Sequence, residues 1–281
     1  MLLFRVGVLF AAAAAFGQVQ MDLETRVKMQ MEIGGKPMPA NERLLRKDRI
    51  MMQSGTLRME AGGMFLLNDT TAGTILLART ADKSYIRATV AEFVAAVKSQ
   101  RASLAKATLG TTTVEMLEPP VPPPYLWREK ETTARGCRYR MKVETPAAKE
   151  PVIAETSIFI YSVPLQGAAK SMMAAQEPLQ LKVGADPTGG ATGLDEEALK
   201  AITSCVPRDR LIVRMISKIE SKSSAPMEMR VQVEMTFDTA SFKDGPLAED
   251  LFSIPKDWTA APPESLKERV MQYLKGPAAI Q

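Results

Sequence analysis

Residues 23–33 do most to limit what this chain can become. Leu23, Val27, Met29, Met31 and Ile33 take the odd positions, broken only by Thr25, while Glu24, Arg26, Lys28, Gln30 and Glu32 fill the even ones. Strand side chains point alternately to opposite sides, so this segment is a long strand with one dry face and one wet face. The pattern returns where Met227, Met229, Val231, Val233, Met235 and Phe237 alternate with Glu228, Arg230, Gln232, Glu234, Thr236 and Asp238. A third instance sets Cys137, Tyr139, Met141 and Val143 against Arg138, Arg140, Lys142 and Glu144. Clean alternation of this kind belongs to antiparallel sheet with one solvated side, since parallel sheets are covered on both.

Shorter strand patterns occupy 56–60, 64–68, 74–79, 154–163 and 210–220, with Gly62-Gly63 as a turn signal. Helical patterns fall at 90–107, where Val90, Phe93, Val94, Val97 and Leu104 form one stripe, at 194–204, and at 264–275, with Leu266, Val270, Met271 and Leu274 on one side. Long strands with one apolar face must hide it under helices or by curling. The expected class is therefore mainly β (α+β): a strongly curved antiparallel sheet forming an incomplete barrel, lidded by two or three helices.

Composition narrows the function. The 281 residues include no histidine, which removes the Ser-His-Asp and Cys-His mechanisms and His-ligated zinc. A net charge of +4 is weak for nucleic-acid binding, and Glu42 and Asp48 interrupt the basic run at 42–49, which suits a solvated strand or at most an anionic-lipid contact. The acidic groups Asp195, Glu196, Glu197 and Glu249, Asp250 suit helix ends, and Gly189, Gly190 and Gly193 lack the context of a phosphate loop. The expectation is a protein that is not an enzyme and needs no metal or other cofactor. The Met29-x-Met31 and Met227-x-Met229 spacing also suits Cu(I), but it is equally the spacing of one strand face.

Residues 1–17 read as a signal peptide: Arg5, an apolar run over 6–16, and small Ala15 and Gly17 before a cut at Gln18. The expected domain spans 18–258, with a helical tail at 259–281. No cysteine follows the cut to carry a lipid anchor, and no later run reaches membrane-spanning length, so the expected location is periplasmic or secreted. In an oxidising compartment Cys137 and Cys205 suit a disulfide; as two buried thiols they would pack as small hydrophobes. Five prolines within 118–125 make a stiff polyproline II connector, expected along one edge, and 184–193 is a loose glycine-rich loop.

The dry faces are rich in methionine, which adapts to irregular partners. They define a candidate ligand-binding set: Val27, Met29, Met31, Leu57, Met59, Met141, Val143, Met215, Met229, Val231, Val233 and Met235. The expected partner is a lipid, acyl chain or other hydrophobe. The alternative is an envelope structural or interaction protein of the same fold with no stored ligand; its 264–275 helix suits simple packing on the sheet first, and docking to an envelope partner or membrane surface second.

The order of several segments resembles a bacterial exported family of unknown function with the LolA/LolB-like lipoprotein-carrier fold. The segments are Arg46-Lys47-Asp48-Arg49-Ile50 leading to Leu57-Arg58-Met59-Glu60, the tyrosine of Asp82-Lys83-Ser84-Tyr85, Gly136-Cys137-Arg138-Tyr139, and Leu251-Phe252-Ser253-Ile254-Pro255. The resemblance covers roughly residues 20–258. It implies a curved antiparallel sheet lidded by helices, whose cavity in the carrier proteins holds the acyl chains of lipoproteins. Arg58 matches the family's strand arginine, with no role assigned to it.

Overall fold

A computed structural model of the chain describes residues 18–107, 111–144, 151–164, 204–205, 207, 210–223 and 229–275. Its strands are β1 (Val19–Ile33), β2 (Lys36–Pro37), β3 (Asn41–Gln53), β4 (Thr56–Ala61), β5 (Met64–Asp69), β6 (Thr74–Arg79), β7 (Ser84–Thr89), β8 (Thr111–Leu117), β9 (Leu126–Trp127), β10 (Lys130–Glu131), β11 (Thr133–Glu144), β12 (Val152–Pro164), β13 (Arg210–Ser223), β14 (Met229–Asp244) and β15 (Thr259–Ala260). The α-helices among the described residues are α1 (Val90–Ala107) and α2 (Leu266–Lys275). The protein is mainly β, built on one large mixed sheet in the order β15-β7-β6-β5-β4-β3-β1-β14-β13-β12-β11-β8, with β2 on the end of β1. Among the described residues only the β15–β7 pair is parallel. The expected signal segment 1–17, loop 184–193 and most of the helix expected at 194–204 lie outside the described residues.

Local chemistry explains the regular parts. β4 and β5 meet at Gly62-Gly63, where both residues hold positive φ, the conformation that a two-residue hairpin turn requires. Helix α1 starts with a capping box: the Thr89 hydroxyl accepts from the Glu92 N–H, while the Glu92 carboxylate accepts from the Thr89 N–H at 2.7 Å. Among the described strands longer than two residues, three carry periodicity too weak to read from sequence: β3, β7 and β8.

The sheet has a short-stranded wing, β4–β7, and a long-stranded wing, β1 and β11–β14. At about 3.3 Å per residue, β1 and β14 reach roughly 50 Å, against about 20 Å for the six-residue strands. Helices α1 and α2 lie on one face of the short wing. Phe93 and Val97 of α1 and Val270 and Tyr273 of α2 are buried there with Met21, Ile50, Leu57, Leu66 and Leu77. On the other face, residues 247–258 strap across the short strands, with Trp258 tilted against Phe65 at 5.5 Å between ring centres. The chain then pairs β15 with β7 and returns to the first face as α2, so residues 259–275 are packed into the body.

The proline connector crosses a face of the sheet instead of following an edge. A Cβ at Gly136 on β11 would overlap the Pro120 carbonyl oxygen. Tyr125 packs at a tilt against Tyr161 of β12, with ring centres 5.0 Å apart, and Arg128 donates to the Phe242 carbonyl of β14 at 3.0 Å. The missing side chain at Gly136 is what lets the connector descend onto the sheet.

Candidate functional site

Strand register places all twelve candidate residues on one face. Directly opposed residues in an antiparallel pair point to the same side. Val27 faces Met235, Met29 faces Val233, Met31 faces Val231, and Ile33 faces Met229. Across the next strands, Val233 faces Ile219, Val231 faces Ser221, Ser221 faces Ala154, and Ala154 faces Met141; Val143 faces Val152. In the other direction Met21 faces Ile50, which faces Met59, and Leu57 faces Met52.

The twelve do not form one environment. Leu57 is sealed into the core under the helices and Met59 packs against it. Met215 packs on a second buried cluster formed by Cys137, Tyr139, Ile158, Ile160 and Cys205. Cys137 and Cys205 are joined as a disulfide with Cα atoms 6.1 Å apart, tying residue 205 to β11. Val27, Met29, Met31, Met229, Val231, Val233 and Met235 form a contiguous ladder on β1 and β14, half-buried except for Met29 and Met229, which are exposed. The ladder interleaves Met with Val, so neither Met29 nor Met31 faces another methionine; Met227 lies outside the described residues.

The opposite face of the same strands is a lattice of paired charge. Arg138 and Arg140 converge on Glu155 at 2.6 and 2.8 Å, and Lys218 meets Glu234 at 3.3 Å. The Arg140 and Arg138 guanidiniums hold the Glu155 carboxyl below its usual range. Nearby, burial raises the Asp238 carboxyl despite Arg214. Between these rows runs an open trough of about 400 Å³ whose one aromatic side chain is Phe159.

A second trough of about 620 Å³, between Asp22, Arg49, Arg58, Glu60 and Ser241, was not visible from sequence, because β3 was not recognised as a strand. Here Arg58 acquires a structural role. It donates to the Leu251 carbonyl at 2.5 Å, pairs with Glu60 at 2.7 Å, and lies 3.8 Å above the centre of the Phe65 ring. It therefore ties the 247–258 strap to β4 and β5.

No protein-family model matches the sequence, and no curated protein matches it. Among solved structures, one titled "Structure of PNGF-II in C2 space group" aligns with 8% identity and a TM-score of 0.28, over 89% of this chain and 33% of that one. The chain thus spans about a third of that protein's length, and a likeness this weak supports no argument about fold or activity.

Proposed function

We propose that this is an exported, non-enzymatic binding protein that holds a lipid, acyl chain or similar hydrophobe on the apolar face of a curved, incompletely closed sheet lidded by helices. The observation that supports this reading is the Met/Val ladder on β1 and β14, which shares a face with the helix-covered core yet continues beyond it. An alkyl chain laid on such a surface gains about 0.8 kcal/mol per buried methylene before the costs of ordering it. Flexible thioethers let one surface accept chains of different length. The periplasmic or secreted location rests on the leader-like residues 1–17, and the LolA/LolB-like resemblance points the same way.

Native mass spectrometry of the purified protein, paired with lipid extraction, tests it. The expected result is an adduct of lipid mass that extraction removes. Val233 sits at the centre of the ladder, between Met29 and Ile219. Val233→Asp should weaken binding of a fluorescent fatty acid at least tenfold while leaving the melting curve cooperative. A lipid-free mass, unchanged after incubation with fatty acids and phospholipids, would sink the reading. Weight would then pass to an envelope interaction protein, for which the charged troughs on the opposite face offer the surface.

A further inference from the structure

The apolar surface left bare by the fold is concentrated toward one end of the long strands, on both faces: Met29 lies on the ladder face, and Leu44, opposite Arg26, on the charged face. Among the described residues ten large hydrophobic side chains are exposed. Four of them, Met29, Met38, Leu44 and Leu45, stand on the β1–β2–β3 hairpin, each with 40–45% of its surface open. Val152, Ile153 and Met229, at neighbouring strand ends, make seven. The two adjacent leucines have a specific cause. Thr25 faces Arg46 and Arg26 faces Leu44, so Leu45 is the extra residue of a β-bulge, which re-aims side chains that plain alternation would send to opposite faces.

The same hairpin holds the protein's charge imbalance. Residues 26–47 contain six Lys or Arg and two Asp or Glu, a surplus of four, equal to the net charge of the whole chain. Some of these cations are engaged: Arg26 and Lys47 with Glu24, and Arg46 with Asp48. Lys28, Lys36 and Arg43 make no ion pair among the described residues. The neighbouring strand β4 reaches along β3 only to Asp48, so residues 41–47 are an edge. A bulge and several cations on an edge discourage addition of another chain's strand. Apolar side chains set among unpaired cations suit the interface of an anionic bilayer, where each contributes separately. No described helix is long and apolar enough to cross a membrane, so this contact is peripheral.

We infer that the β1–β3 hairpin docks the protein onto an anionic phospholipid bilayer, with Met38, Leu44 and Leu45 entering the headgroup region and Lys28, Lys36 and Arg43 against lipid phosphates. As a loading step this rests on the hydrophobe-binding reading: the ladder runs along the other face of the same hairpin, so docking brings its open end near the source of its cargo.

Co-sedimentation of the purified protein with vesicles tests it, comparing equal parts phosphatidylglycerol and phosphatidylcholine with phosphatidylcholine alone. The protein should pellet with the anionic vesicles, weakly or not at all with the neutral ones, and less as salt rises. Lys36→Gln with Arg43→Gln should weaken binding roughly 25-fold, about fivefold per charge. Leu44→Glu with Leu45→Glu should abolish it. All four positions are exposed, so circular dichroism should stay native. Protein left in the supernatant with anionic vesicles, or variants that pellet like the parent, overturn the inference. Fatty-acid uptake without vesicles separates the two readings. Uptake with no vesicle binding overturns docking alone, whereas vesicle binding with no uptake sustains docking and sinks the hydrophobe reading.

Discussion

Gly136 shows how a single side chain decides a long-range crossing. Any Cβ there meets the Pro120 carbonyl, which belongs to backbone that several prolines hold stiff. Gly136→Ala should therefore cost about 1–3 kcal/mol, the usual penalty of overpacking, read from urea unfolding. An unchanged midpoint would show that the connector can lift without loss. Tyr273 makes a different residue-scale prediction. Burial in the core pushes its hydroxyl up to about 12, with Arg46 and Asp48 of β3 facing it. The unfolded chain gives up this proton near pH 10, so between about pH 10 and 12 the folded state binds one proton more. Stability is intact below pH 10 and falls by about 1.4 kcal/mol per pH unit above it. In Tyr273→Phe the alkaline slope should shrink by that amount; equal slopes would mean that the hydroxyl reaches solvent. The methionines, by contrast, were legible one by one as dry-face residues. What residue-level reading could not tell was that Leu57 and Met59 lie beneath helices while Met29 stands in the open, because alternation reports a face and not its cover.

At the scale of elements, helix α2 is the clearest case of a segment whose worth depends on its neighbours. Its amphipathic stripe was visible from Leu266 and Val270, but the same stripe suits docking to a partner. Val270 and Tyr273 are buried against Phe93 and the short strands, and the buried Arg269 bonds to Ser84 at 2.8 Å. Removing residues 259–281 uncovers that core and strips β15 from β7. At about 1.5–3 kcal/mol for each large buried side chain, the loss approaches the whole stability of an ordinary domain. The truncated chain should lose its near-ultraviolet dichroism and cooperative melt. A natively folded truncation would return the helix to the docking role. Element recognition failed in a consistent way. β3 is overlaid by the charged run Arg43 to Arg49 and broken by a bulge, so its alternation is corrupted where the function is proposed. β7 places Ser84 and Ala88 beside Ile86 at its buried positions and β8 opens with three threonines, so neither shows a clear apolar period.

For the whole molecule, the governing fact is a mismatch of lengths. The two helices and the 247–258 strap cover a wing of six-residue strands, while β1 and β14 run more than twice as far. Both functional proposals draw on the uncovered remainder: the apolar ladder on one face and the basic, leucine-bearing hairpin at its margin. The mainly β class, the one-sided character of the long strands and the identity of the dry residues were all determined by the sequence alone, because they follow from a period-two pattern within single segments. Tertiary structure alone decided which part of the dry face is sealed, where the connector and strap cross, and that Arg58 clasps Leu251 across 193 residues. Those outcomes depend on register and on contacts between distant segments, which local periodicity does not encode.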